Sequence, residues 1–290
     1  PNMISNRRAP ARSIHNGLYQ RLVAALIAIC TMLTIPQHAA AETPQNLGSE
    51  WSELFNGKDL NSWTAKITGQ PMGKDARNTF RVEDGLIKIR YDQYDTFDNQ
   101  FGHLFFASPF ERYQLLIEYR FIGEQLAGGP GWAERNSGVM LHAQAPATMT
   151  LMQDFPNSIE VQFLGGFNNG EMRPTANLCT PGTDVTFAGK QLPYHCQPSK
   201  SATFDGDQWV QIIVNVDGGA TIQHEIQQEI VLAYEQPTLT DSRVNGAPQA
   251  LTSGYLALQS ESHPIDFRRV AIRALPAESA LKSNTPRAGE

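Results

Sequence analysis

Apolar and polar residues alternate with a period of two along most of this chain, the spacing of a β-strand with one buried and one wet face. In "RYQLLIEYRFIG" the residues Leu115, Ile117, Tyr119 and Phe121 oppose Leu116, Glu118 and Arg120. In "DQWVQIIVNVDGG" Val210, Ile212, Val214 and Val216 oppose Trp209, Gln211, Ile213 and Asn215. "RNSGVMLHA" sets Val139 and Leu141 against Gly138, Met140 and His142, and "NSIEVQFLGG" sets Ile159, Val161 and Phe163 against Glu160 and Gln162. Phe80 and Val82 alternate up to Asp84-Gly85, a two-residue hairpin turn, beyond which Leu86, Ile87 and Ile89 resume. Further strands are predicted around 220–226 and 229–234, and in "SGYLALQSE" and "IDFRRVAIRAL". No long amphipathic helix and no internal repeat is visible. Many short strands without helices predict an all-β fold, a sandwich or jelly roll.

If the strands lie in register, their polar positions share one surface made of Glu118, Arg120, Asn136, Met140, His142, Glu160, Gln162 and Gln259. An ordinary solvated sheet face carries Lys, Thr and Ser. This one is poor in lysine and rich in groups that donate and accept hydrogen bonds, which is what pairing sugar hydroxyls requires.

The two ends read differently. Arg7, Arg8, Arg12 and Arg21 precede an uncharged run, "LVAALIAICTMLTI", and then "QHAAAE", with Ala39 and Ala41 at the small-residue positions of a cleavage site. Residues 1–41 therefore read as a signal peptide, the apolar run being shorter than the about 20 residues of a membrane span. Secretion to the periplasm or the extracellular space is expected, with no membrane association once the leader is removed. The body of the domain spans 47–276, and the polar, proline-containing tail 277–290 reads as disordered.

Loss of the leader removes four arginines and no acidic residue, taking the net charge from −6 to about −10. Such a field disfavours nucleic acid and anionic lipid and suits neutral ligands. Cys179 and Cys196 remain beyond the leader. In an oxidising compartment they read as a disulfide, closing a loop of under twenty residues and contributing about 3 kcal/mol. A metal pair is the rival reading, and it lacks a C-x-x-C spacing. His195, next to Cys196, reads as a loop residue.

Four stretches in order, "WSELFNGKDLNSW", "FRVEDGLIKI", "NSGVMLH" followed by "SIEVQFL", and "GYLALQSESHPIDFRRVAIRAL", resemble the landmarks of the 3-keto-disaccharide hydrolase domain family. The resemblance spans nearly the whole chain after the leader. It implies a concanavalin A-like jelly-roll sandwich of two antiparallel sheets with a concave carbohydrate-facing side, acting on glycosides. Ser262 stands where the family often has glycine and Arg269 where it has asparagine, and "NLCTPGTDVTFAGKQLPYHC" looks like a loop insertion.

Glucanases of this fold class carry two carboxylates on one strand, about 5 Å apart for a retaining mechanism. The corresponding strand here offers Glu160 alone, because Gln162 is neither a nucleophile nor an acid. A 3-keto sugar needs less: its carbonyl acidifies the hydrogen on C2, so a base, an oxyanion stabiliser and a proton source for the leaving group suffice. Glu160 and His142 are expected to share the acid/base work. Arg120 or Arg268 would stabilise the oxyanion, Asn136, Gln162 and Gln259 would bind hydroxyls, and Glu261 and His263 are further candidates at the rim. A divalent metal ion held by Glu160, His142 or Glu118 is the alternative to the arginine, and spacing does not choose between them.

Each assignment has a structural counterpart. Glu118 and Arg120 can pair with charges on adjacent strands, Arg268 can be structural, and His142 can be a satisfied sheet histidine. Trp132, in "GGPGWAER", is a sugar platform or a loop anchor. The same face also fits a non-catalytic lectin-like module. A 3-keto specificity would imply an oxidoreductase that supplies the substrate.

Overall fold

Asp84 and Gly85 have φ of +56° and +73°, the left-handed pair that a tight hairpin turn demands, and they close the pairing of Glu83 with Leu86. Such local choices build two antiparallel sheets in the computed structural model, which describes residues 47–275. The expected leader, 1–41, and tail, 277–290, lie outside the described residues.

The larger sheet has eleven strands. Its centre is the pair Arg112–Phe121 and Val210–Asp217, in unbroken register from Val210 opposite Tyr119 to Asp217 opposite Arg112. The smaller sheet has seven strands: Cys196–Gln197, Asn177–Cys179, Ile159–Leu164, Asn136–Ala143, Tyr255–Ser260, Gly102–Phe106 and Trp63–Ile67, in that spatial order. Neighbours in the list pair antiparallel.

The core lies between the sheets. Val139, Leu141, Ile159, Val161 and Phe163 from the smaller sheet meet Leu115, Ile117, Tyr119, Ile212 and Val214 from the larger, all at most 1% exposed. Tyr119 stacks on Phe163 with centroids 4.4 Å apart and planes 9° from parallel. Burying Phe163 here is worth about 1.5–3 kcal/mol. Through the period of two it commits Glu160 and Gln162 to the opposite face. A one-residue slip of this strand would place the carboxylate in the core, so the apolar pattern fixes the site's floor.

The sandwich carries a second, smaller apolar cluster on the outer face of the seven-stranded sheet. Phe105, Met140, Ala143, Met149 and Ala257 form it, with Phe155 and Tyr255 packed against them. Met149 and Phe155 come from the connection between Asn136–Ala143 and Ile159–Leu164, which folds back over that face. Part of the supposed wet face is therefore dry.

Candidate active site

The registers of the seven-stranded sheet arrange its outer face in two rows across the strands. One row is polar: Lys66 pairs with His103, His103 with Gln259, and Gln162 with Asn177. The other is mainly apolar: Phe105 pairs with Ala257, Ala257 with Met140, Met140 with Glu160, and Glu160 with Cys179. Glu160 thus rises between a methionine and a half-cystine, which is why burial pushes its carboxyl up to about 8, partly offset by the neighbouring Gln259 amide.

Gly138, the partner of Gln162 in the polar row, makes this arrangement possible. A methyl group at Gly138 would sit 2.9 Å from Glu160 Oε1 and 3.0 Å from the Val161 carbonyl. The missing side chain leaves a gap over which the carboxylate leans. Gln259, in the polar row, is fully buried, and both its amide atoms lack a partner of hydrogen-bonding geometry. It is close enough to favour the charged form of Glu160 without being aligned to bond it.

Glu261 completes the group. It is 2% exposed, its Oε2 is buried without a partner, and desolvation together with the Glu160 charge drives its carboxyl well above the usual range. Two buried carboxyls that interact in this way do not ionise together near neutral pH. Native interiors rarely leave so many polar atoms unpaired, and such groups call for an explanation. A ligand that supplies the missing partners is one.

Above this floor lies a cavity of about 600 Å³. Glu160, Gln162 and Asn136 contribute its polar base, and Trp132, Phe155, Leu164, Phe167, Pro181 and the Cys179–Cys196 disulfide its walls. Asn136 donates to the Trp132 carbonyl (3.2 Å) and leaves its Oδ1 unpaired. Gln162 Oε1 accepts from Asn177 (3.0 Å). Trp132 is 56% exposed and stacks on Phe101, with centroids 5.9 Å apart and planes 6° from parallel. The stacking anchors its loop, and the exposed part of the indole lines the cavity.

The structure does not bring all the expected residues together. His142 is the first correction. Tyr255 pairs with Ala143 and Ala257 with Met140, so one extra residue is inserted in the strand, and His142 takes φ +49°. This β-bulge turns the ring into the space between the sheets. There it bonds the Gly218 carbonyl (3.0 Å) and meets Tyr113 edge-on, and burial lowers its pKa to about 4. His142 is a core histidine with its back to Glu160.

Glu118, Arg120 and Arg268 are the second correction, for they lie on the outer face of the eleven-stranded sheet. Glu118 accepts from Arg268 (2.7 Å) and Gln211 (2.9 Å), and Arg120 bonds Asp266 (3.0 Å). Both guanidiniums sit 4.6 Å from the Trp209 ring. A cation held by Glu160 together with His142 or Glu118 is thus not a set that this geometry assembles. Among the described residues one close group of metal-ligand types exists, Cys179, His195 and Cys196, and its two sulfurs are bonded to each other.

His263 is buried beside the site rather than in it. Its ring meets Phe121 edge-on, and desolvation, with Arg135 and Arg173 nearby, lowers its pKa to about 4. It lines a second, polar cavity of about 620 Å³ with Gln125, Glu134, Arg135 and Asn168. The neighbouring Ser262 has φ +84°, a backbone conformation suited to the glycine that the family pattern often places there.

Several lining residues carried no signal in the sequence. Arg173 lines the cavity from a loop, its guanidinium bonding the carbonyls of Arg135 (3.0 Å) and Glu134 (2.7 Å). Phe155, Phe167 and His195 also reach it from loops. His103 could have been found by the period-two rule. It is fully buried opposite Gln259, under the edge of Phe155 (5.9 Å), with both ring nitrogens unpaired.

Two Parabacteroides distasonis proteins described as candidate glycosyl hydrolases are similar at 15% and 19% identity. The alignments cover 78% of this chain and 100% and 94% of theirs, with TM-scores of 0.47 and 0.46. A Bacillus licheniformis β-glucanase is similar at 11% identity over 79% of this chain and 99% of its own, with a TM-score of 0.43. No curated protein matched the chain in sequence. Residues 50–273 match the 3-keto-alpha-glucoside-1,2-lyase-like domain, so the chain belongs to that family.

Proposed function

We propose that this protein cleaves 3-keto glycosides by elimination followed by hydration, with Glu160 as base and Glu261 as acid. One observation carries the reading: two neighbouring buried carboxyls, Glu160 on the floor of a sugar-sized cavity and Glu261 behind it, with Glu160 raised to about 8 and Glu261 raised by burial and the Glu160 charge. A base works best when its pKa lies near the working pH, and an acid must keep its proton until the leaving oxygen needs it. Two interacting carboxyls that cannot both ionise divide those roles, one giving up its proton while the other keeps it.

The steps balance on these groups. Ionised Glu160 takes the proton from C2, and the electron pair moves through C2–C3 onto the C3 oxygen. As that carbonyl reforms, a C1–C2 double bond forms and the C1–oxygen bond breaks. The leaving oxygen takes the Glu261 proton. Water then adds across C1–C2, with hydroxyl to C1 and hydrogen to C2, completing a net hydrolysis. The Gln162 amide is the donor on the floor for the C3 oxygen and Asn136 Oδ1 accepts from a ring hydroxyl, while Arg173, held by backbone carbonyls, adds its charge from the wall. Burial lowers the Arg173 pKa to about 10, which leaves it charged at neutral pH.

The protein would work after secretion, downstream of an oxidoreductase that oxidises C3. The test compares 3-keto glycosides with their unoxidised parents, using the wild type and Glu160→Gln. Turnover confined to the 3-keto forms and lost in the variant is the expected result. Binding of both forms without turnover of either would instead establish a lectin-like module.

A further inference from the structure

Resting on the reading above, we propose that the group expelled from C1 is an aromatic or otherwise apolar aglycone rather than a second sugar, and that Trp132 and Phe167 bind it. The cavity is divided by chemistry. Its free hydrogen-bonding groups, Glu160, Gln162 and Asn136, gather on the sheet floor, enough to hold one pyranose. Away from the floor the walls are the rings of Trp132, Phe155 and Phe167, Leu164, Pro181 and a disulfide, with the His195 imidazole as the one polar side chain among them besides Arg173. Arg173, the cation among them, directs its terminal nitrogens at three backbone carbonyls, those of Glu134, Arg135 and Gly165.

Size leaves room for more than the sugar. At about 600 Å³ the cavity falls within the roughly 300–1,000 Å³ of sites that enclose drug-sized ligands. A second pyranose placed against these walls would lose water from several hydroxyls and find few partners. It would find them in the polar cavity beyond Phe167, but Glu160 does not line that cavity. An aryl group has no hydroxyls to desolvate and gains by stacking.

The platforms are already in place. Trp132 is held flat on Phe101, and the Arg173 guanidinium lies 4.2 Å from the centre of the Phe167 ring. Yet these rings remain 56% and 38% exposed. Large aromatic faces fixed in position and left open to water at the mouth of an apolar cavity are what a planar ligand would cover.

The experiment compares kcat/KM for 3-keto benzyl glucosides of both anomers with the 3-keto forms of glucose disaccharides. Benzyl alcohol is no better a leaving group than a sugar hydroxyl, so the comparison reads recognition. A benzyl preference of roughly tenfold or more is expected, and the ratio should collapse in Trp132→Ala and in Phe167→Ala. Equal or better cleavage of the disaccharides, or a ratio that survives both substitutions, would overturn the proposal. If no compound is turned over, calorimetry on Glu160→Gln with unoxidised benzyl glucosides and disaccharides separates the two ideas. Tighter benzyl binding would keep the apolar subsite and remove the elimination reading, and equal binding would remove both.

Discussion

The outer faces of the two sheets start from the same alternating pattern and end in opposite electrostatic states. On the eleven-stranded sheet every charge named above has a partner: Glu118 holds Arg268, Asp266 holds Arg120, and both arginines flank Trp209. On the seven-stranded sheet Gln259, His103, Glu261 and Asn136 keep buried atoms with no partner at all. The first face is finished without a ligand. The second carries a standing desolvation cost of the kind that functional sites carry and packing alone does not explain. Satisfaction of the polar groups, rather than their identity, tells the site from the surface.

Replacing the carboxyl that the second face strains to hold should produce the largest effect. Glu160→Gln is expected to lower kcat/KM on a 3-keto glycoside by about 10²–10⁴-fold, the usual worth of a positioned base. The same variant should gain stability in alkali. The folded protein keeps a proton on Glu160 up to about pH 8, whereas the unfolded chain releases it near the ordinary value of 4.5. Stability contributed by this group is therefore present below 4.5 and lost as pH rises through 8. The variant never ionises there, so its Tm should exceed that of the wild type above pH 8 and approach it in acid. Thermal scans across pH would show this.

Gly138→Ala sharpens the same contrast through geometry. Its methyl group would meet both Glu160 Oε1 and the Val161 carbonyl, displacing the carboxylate from the gap. A fall in kcat/KM of about tenfold or more is expected, with a stability loss of about 1–3 kcal/mol. The two readouts together separate displacement from unfolding. Reducing the Cys179–Cys196 bond removes a cavity wall and should destabilise the fold by about 3 kcal/mol, readable in denaturant midpoints with and without reductant. At the opposite extreme, Arg268→Ala breaks an ion pair on the finished face. It should change stability by about 1 kcal/mol or less and leave turnover within about twofold.

How much of this was legible follows from the same comparison. Strand faces could be read directly, because Ile159, Val161 and Phe163 leave Glu160 no other side, and the central pairing of Val210–Asp217 obeys the pattern throughout. Which strands share a sheet could not. Glu118 and Glu160 alternate with core residues in the same way, and their separation onto opposite sides of the molecule is set by the order of strands in space. One inserted residue at His142 reversed its direction, and neither "GVMLHA" nor its spacing announces a bulge. Arg173, Phe155 and Phe167 reach the cavity from loops, where no periodicity constrains a side chain. The Cys179–Cys196 pairing, by contrast, was read from compartment and count and is present between adjacent strands.

The pH dependence of kcat/KM offers a further check. A base raised to about 8 gives a rate that climbs with pH through that value and falls again only where the Glu261 acid, itself raised, loses its proton. A group at its ordinary value would give a profile already flat by pH 6.

The most direct measurement uses a 3-keto glycoside labelled with deuterium at C2. The account predicts a primary isotope effect on cleavage, release of the label to water, and loss of both in Glu160→Gln. Cleavage by the wild type that retains the label at C2 and shows no isotope effect would contradict it.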